Sequence, residues 1–293
     1  MLKNPAIEVI PTGQACGANI HGIDLSQPLD DPTFEKILAA FAKYGILVFH
    51  EQNMLPQQQI EFSKRFGEID IYVLSEYTLD RYPEILLISN VQKNGKNIGL
   101  ADAGTTWHTD TSYLKRPPLA TFLYAKEVPI KDGVVLGDTI FSSAAAAYDK
   151  LNEAMKIKIE GLTAIHSYHG KHTARANLGR SNRIKPSQEE NRALQPVEHP
   201  VVRRHPISGR KAIYVAAGEC VSIPGLETED ALALIEELAA QITKEEFHYH
   251  HHWQEGDFVI WDNCQLQHLA VRDYELPLRR IMHRTQVKGP IPI

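Results

Sequence analysis

Cysteine is scarce: Cys16, Cys220 and Cys264 are the only three in 293 residues. An odd number at wide spacing gives neither a disulfide framework nor a paired-cysteine metal knuckle. A reducing, cytoplasmic setting fits. Positive charge is also short, with 31 Lys and Arg against 36 Asp and Glu, a net charge of −5. A nucleic-acid binder would show a basic surplus, so no nucleic-acid partner is expected. No apolar run approaches the roughly 20 residues of a membrane span. The opening residues MLKNPAIEVIPTG carry no apolar signal core, so no membrane association is expected. Internal repeats and low-complexity linkers are missing too. What is present is ordinary for a globular chain, 43% hydrophobic and 23% charged. That is enough for a substantial core. The expectation is one domain over residues 1–293, although the length would also suit two small ones. Histidine, at 14, is the unusual count.

Phe34, Ile37, Leu38 and Phe41 recur at helical spacing and predict a helix over about 33–44, stopped by Gly45. Ile46-Leu47-Val48-Phe49 reads as a buried strand. Pro56 opens a second helix reaching about Phe66. Ser142 is a candidate cap for an Ala-rich helix over 143–155, and Thr228 for a helix whose inner face holds Ala231, Leu234, Ile235 and Leu238. Strands are expected at 85–89, 119–124, 212–215, 247–253, 258–261 and 280–287, divided by turn signals such as SGRK (208–211) and QEGD (254–257). The histidines of Phe247–Trp253 read as the polar residues of a partly wet sheet face, because alternate strand residues face opposite sides. Many strands and few helices point to a β-barrel or β-sandwich core with helices outside. Residues 166–205 differ, with many cations and few large apolar residues. A long irregular segment of that kind is either a lid over a site or a surface excursion.

The sharpest local feature is Thr106-Trp107-His108-Thr109-Asp110. On an extended strand, His108 and Asp110 project from one face and can reach one metal ion. A second, distant His would complete two imidazoles and a carboxylate, the set that leaves three positions open on non-haem Fe(II). Alone, the pattern is common by chance and reads first as a structural His–Asp hydrogen bond. Further on, WDNCQLQH (261–268) brings His268, and RRIMHR (279–284) puts Arg280, Met282 and Arg284 on one strand face. Two guanidiniums pointing into a core are costly unless anions meet them. Arg pairs well with carboxylate, so such a face could hold two acids. An Arg pair facing solvent on an edge strand is the other reading.

Taken together, these residues resemble the taurine dioxygenase/2,4-dichlorophenoxyacetate dioxygenase (TauD/TfdA) family. The likeness runs nearly end to end. It includes GANIHGIDLSQPL (17–29), GILVFHEQ (45–52), FSKRFGE (62–68), WHTDTSY (107–113), GDT (137–139), HPVVRRHPISGRKAIYV (199–215), WDNCQLQH (261–268) and RRIMHRT (279–285). The resemblance implies a mainly β chain with flanking helices around a double-stranded β-helix (jelly-roll) core. It implies Fe(II), with 2-oxoglutarate and O₂ as cosubstrates, and an anionic small molecule hydroxylated as succinate and CO₂ form. By the same resemblance His108, Asp110 and His268 are the iron ligands. Thr139 and Arg280 hold the distal carboxylate of 2-oxoglutarate, and Arg284 anchors the substrate's acid group. The carboxylate of Asp110 argues for hydroxylation, since related halogenases lack it. Family members are often homo-oligomers. Where the taurine enzymes place a His, a Tyr and an Asn around their substrate, this chain has Tyr72, Ser75 and Gly104. Taurine's ammonium would lose its polar partners. Tyr72, with Tyr168 and Tyr214, suggests a more aromatic pocket, suited to an alkyl sulfonate, an alkyl sulfate or an aryloxyalkanoate. The rival readings are a zinc hydrolase, which would not need Arg280 or Thr139, and a non-catalytic jelly-roll binding protein.

Overall fold

The computed structural model describes residues 7–71, 75–170 and 194–293. Ile46–Phe49 has an apolar side chain at every position, and every one is buried. A strand can bury all its residues only when both faces of its sheet are covered. It pairs with Phe258–Asp262 inside an eight-stranded sheet. In order across that sheet lie Glu8–Pro11, Ala18–His21, Ile46–Phe49, Phe258–Asp262, Pro118–Glu127, Ile281–Lys288, Tyr82–Ser89 and Thr78–Leu79. Alternation then divides the side chains. Leu47, Phe49, Phe122, Phe258 and Ile260 face one way, packing against Phe34, Ile37, Phe41 and Phe62 from the helices Asp31–Tyr44 and Pro56–Lys64. Ile46, Val48, Leu123, Val259 and Trp261 face the other way. They meet Phe141, Tyr249 and Leu266 from a three-stranded sheet of His248–His251, Thr139–Ser143 and Leu266–Ala270. The described chain is thus mainly β, with few helices. A second core forms where the helix Thr228–Ile242 lays Ala231, Leu234, Ile235 and Leu238 against Ala144–Asp149 and the sheet of Val197–Pro200, Thr163–His166 and Cys220–Ser222. None of the described helices is long and apolar enough to cross a membrane.

Several sequence expectations shift. The first helix starts at Asp31, two residues early, because the Asp30 side chain accepts from Thr33 N and Pro32 suits a first turn. The Ala-rich helix is capped by Ser143, not Ser142, and stops at Asp149. Asn152 then caps a separate helix, Glu153–Ile159. Thr228 opens its helix without capping it; the cap position is Glu227, whose side chain makes no capping bond. In the histidine run, His250 and His252 are exposed as expected, but His251 is buried, 3.1 Å from Asp257. The segment 166–205 is not irregular at its C-terminal end. Val197–Pro200 pairs with Thr163–His166, and Val202–Arg204 pairs with Lys211–Ile213. Valines give these stretches strand character despite the neighbouring cations. Residues 171–193, the heart of the expected lid, lie outside the described residues.

The second core holds a testable charge. His166 is 1% exposed, with Nδ1 against Ser112 Oγ at 3.0 Å and its ring stacked on Tyr214. Burial, helped by His199, pushes its pKa down to about 3. The folded protein therefore keeps this ring neutral, while the unfolded chain protonates it below about 6.5. Stability is full above pH 6.5 and falls as pH drops toward 3, by about 1.4 kcal/mol per pH unit from this group. Urea unfolding between pH 6.5 and 5 should show H166Q losing about 2 kcal/mol less than the wild type. Parallel losses in the two proteins would refute a neutral, buried His166.

Candidate functional site

His108 and Asp110 are brought together, but not by a strand. His108 forms an isolated bridge to His268, with His108 N donating to His268 O (3.2 Å) and His268 N to His108 O (2.9 Å). The chain then turns, with Thr111 at a φ of 43° and Leu114 N donating to Thr111 O. Asp110 sits between that bridge and the turn, with its carboxylate beside the two rings. His268 comes from Leu266–Ala270, and Phe141 of the adjacent strand lies opposite it.

The three side chains are 4–6% exposed. Their donor atoms lie within 4.8 Å of one another. Asp110 Oδ1 is 3.7 Å from His108 Nε2 and 3.9 Å from His268 Nε2. These separations are too long for hydrogen bonds. They suit atoms that share one ion through bonds of about 2 Å. His108 Nδ1 lies 2.8 Å from Thr106 O and 3.0 Å from His268 O. Carbonyls only accept, so Nδ1 carries the proton and Nε2 keeps a bare lone pair facing Asp110. Burial works to raise the Asp110 carboxyl, but the imidazoles of His268 and His108 and the guanidinium of Arg284 outweigh it and hold the group well below the usual carboxylate range. An anionic oxygen and two imidazoles form a donor set that fits Fe(II).

Thr139 and Arg280 line the same cavity, as do Arg284, Gly104, Ile88, Leu123 and Trp261. Arg280 is 4% exposed, and its Nε has no hydrogen-bond partner in the structure. Burial pulls its pKa down, and Tyr274 partly offsets this. A buried guanidinium with an unmet donor is a receptor for an anion. Arg284 reaches the centre more closely, with Nη1 3.7 Å from Asp110 Oδ1. Both arginines face the site, so neither forms a solvent-facing pair. Gly104 presses on the metal pocket, where an added Cβ would sit 3.4 Å from His108 Cε1.

Other expected pocket residues are placed elsewhere or not at all. Tyr72 lies outside the described residues, and Ser75 opens the 3₁₀ turn Ser75–Tyr77. Tyr214 is buried against Arg203 and His166 and does not line the cavity. Tyr168 packs on Tyr113, with ring centroids 5.1 Å apart. Sequence reasoning missed Trp253. Its indole N–H donates to Thr139 Oγ1 at 3.0 Å, and its ring lies 5.7 Å below the Arg280 guanidinium. The period-two burial of Tyr249, His251 and Trp253 was the available signal. It also missed Gly137, whose N–H donates to Asp273 and whose φ of 77° favours glycine. A Cβ there would meet Tyr274 at 2.7 Å.

A second group with ligand potential, His205, Asp262 and Cys264, is saturated by its own contacts. Asp262 accepts from His205 Nε2 (2.6 Å), Gln265 Nε2 and Cys264 N. His205 Nδ1 accepts from Ile207 N and Ser208 N. Burial raises the Cys264 thiol well above its ordinary value, so it offers no thiolate.

Two imidazoles and an ionised carboxylate beside a buried, incompletely paired guanidinium define an iron- and 2-oxo-acid-dependent oxygenase. The chain belongs to the TauD/TfdA family, whose model, "Taurine catabolism dioxygenase TauD, TfdA family", matches residues 8–286. It is accordingly a 2-oxoglutarate-dependent dioxygenase, using Fe(II), 2-oxoglutarate and O₂. It is 30% identical to the (S)-phenoxypropionate/alpha-ketoglutarate-dioxygenase of Sphingobium herbicidovorans, over 98% of this chain and 96% of that protein. It is 31% identical to the alpha-ketoglutarate-dependent sulfate ester dioxygenase of Pseudomonas putida, over 98% and 91%. Among solved structures, AAD-2 in complex with Mn(II) and N-oxalylglycine superposes with a TM-score of 0.80 at 28% identity, over 98% of this chain and 99% of that one.

Proposed function

We propose that this dioxygenase hydroxylates a small organic anion, an aryloxyalkanoate, alkyl sulfate or alkyl sulfonate, at the carbon beside its heteroatom. In this reading His108, Asp110 and His268 hold the iron, Thr139 and Arg280 the distal carboxylate of 2-oxoglutarate, and Arg284 the substrate's acid group. The observation that carries it is Arg284, 11% exposed and 3.7 Å from Asp110, in a cavity otherwise walled by Ile88, Ala103, Leu123, Trp261 and Ala270. With Arg280 taken by 2-oxoglutarate in this reading, Arg284 is the cation left for the substrate, and the apolar walls beside it suit an acid with an apolar body. Asp110 is the only acidic side chain among the described lining residues, and the iron would claim it, so none of these offers an ammonium group a free carboxylate. That disfavours taurine. It favours the phenoxy acids and sulfate esters on which relatives act.

Iron, 2-oxoglutarate and O₂ together supply the oxidising power for a C–H bond, with loss of CO₂ and formation of succinate. The chain's own work is orientation. Trp253 donates to Thr139 Oγ1, leaving the threonine's proton to meet a carboxylate. Arg280, buried over Trp253, offers the matching charge. The apolar walls exclude water from the reacting carbon. Hydroxylation beside oxygen or sulfur leaves an unstable product that collapses to release phenol, sulfate or sulfite.

The same reading takes residues 1–293 as one domain with a double-stranded β-helix core, built where the eight- and three-stranded sheets face each other. Three unpaired, buried cysteines favour a reducing cytoplasm. Homo-oligomerisation rests on family analogy. Succinate formation from 2-oxoglutarate, measured across taurine, alkane sulfonates, alkyl sulfates and aryloxyalkanoates, tests the substrate class. An aryloxyalkanoate or alkyl sulfate should stimulate it most, with matching release of phenol or sulfate. Stimulation by taurine above all others would overturn this assignment.

A further inference from the structure

We infer that the Thr121 hydroxyl is a positioning group for the iron, occupying one oxygen of Asp110 so that the carboxylate binds through the other alone. The inference rests on His108, Asp110 and His268 being the ligand set. Thr121 is fully buried on Pro118–Glu127, opposite Trp261 on one neighbouring strand and Gln286 on the other. Its Oγ1 lies 2.7 Å from Asp110 Oδ2, 2.9 Å from Asn263 Nδ2 and 2.9 Å from Gln286 Nε2.

A hydroxyl has one proton and two lone pairs. Two amide NH₂ groups fill the lone pairs, because a primary amide nitrogen only donates. The single proton is therefore committed to Asp110. No exposed surface remains through which water could offer another partner. The polarity is enforced from both ends, since an ionised ligand carboxylate can only accept. Oδ2 is thus held away from the two rings, and Oδ1 is the oxygen within 3.7–3.9 Å of both histidine Nε2 atoms.

The consequence is a count of positions. Two imidazoles and one carboxylate oxygen leave three of six octahedral positions open. The 2-oxo acid and O₂ would need those positions. A carboxylate binding through both oxygens would consume a fourth position and leave no place for O₂ beside the 2-oxo acid. Thr121, Asn263 and Gln286 come from three adjacent strands of the large sheet or their ends, so the sheet itself sets the carboxylate's rotation. Outer partners of this kind hold first ligands in orientation and carry about 10–100-fold in metal affinity.

The test compares T121S, which keeps the hydroxyl, with T121V, which keeps the shape and loses it. Two readouts apply to the full chain stripped of metal. One is the dissociation constant for Mn(II), read from the spin-resonance signal of the free ion. The other is the visible charge-transfer band of the anaerobic Fe(II)–2-oxoglutarate complex. T121S should match the wild type in both. T121V should bind Mn(II) about 10–100-fold more weakly, with a shifted or weakened band. T121V also strands two buried amide donors. If it does not fold, T121C carries the test, because a thiol of similar volume donates only weakly and should fall between T121S and wild type on one side and full loss on the other. A folded T121V or T121C with wild-type Mn(II) affinity and an unchanged band overturns the inference while leaving the ligand assignment standing. A wild-type protein that binds no Mn(II) overturns both.

Discussion

D110A is expected to bind Fe(II) or Mn(II) more than about 100-fold more weakly than the wild type and to form no succinate above background. Loss of an outer partner alone costs about 10–100-fold, and loss of a ligand costs more. The electrostatics point the same way. Asp110 is the anion that faces the Arg284 guanidinium in a buried cavity. Its removal leaves a guanidinium beside the place where a dication must sit, and such like-charge proximity is expensive where solvent is excluded. D110N should lose as much, because the amide whose oxygen keeps the hydrogen bond from Thr121 turns an NH₂ group, which cannot ligate, toward the metal. The measurement is metal titration of the stripped protein followed by succinate assay at saturating Fe(II). Undiminished turnover in D110A would remove Asp110 from the ligand set.

R280A should leave metal binding intact and raise the KM for 2-oxoglutarate by about 100-fold, equivalent to about 3 kcal/mol. Truncating one partner of a buried charge pair costs in this range. The geometry explains the expectation. Arg280 is held over Trp253, which also donates to Thr139, so one indole supports both groups that would meet the carboxylate. Arg280 has a second, opposite signature. Its Nε lacks a partner in the protein alone, and burial already pulls down its pKa. A buried cation with unmet donors destabilises the ligand-free fold, so R280M should melt higher than the wild type without 2-oxoglutarate. In the presence of 2-oxoglutarate that order should reverse, since only the wild type gains binding energy. A KM within about threefold of wild type in R280A, with unchanged melting order, would take Arg280 out of the cosubstrate site.

Much of the site could be read along the chain because chemistry constrains residue type more tightly than backbone does. His108, Asp110, His268, Thr139, Arg280 and Arg284 all line one cavity. His108 and Asp110 face one cavity as their spacing suggested, and the bridge between His108 and His268 brings in the third group. Helices with an apolar stripe and a strong stop, such as Asp31–Tyr44 ended by Gly45, were legible because their signals are local. The break after Asp149 was not, since the capping preference of Asn152 competes with an otherwise helical pattern. His251, read as part of a partly wet sheet face, is buried, because its pairing with Asp257 depends on how the chain folds back after Trp253.

By itself the sequence determined the reaction class, six charged or polar groups that meet in one cavity, and the alternation that sends Ile46 and Val48 to one face and Leu47 and Phe49 to the other. These follow from residue chemistry and from the fixed periods of strand and helix. Only the tertiary structure decided which atoms of those groups point where. His108 presents Nε2 because two carbonyls claim Nδ1. Asp110 presents Oδ1 because Thr121 claims Oδ2. Thr139 keeps its proton because Trp253 supplies its acceptor bond. Each choice depends on a hydrogen-bond partner distant along the chain or on a neighbouring strand, and a one-dimensional pattern holds no record of such pairings.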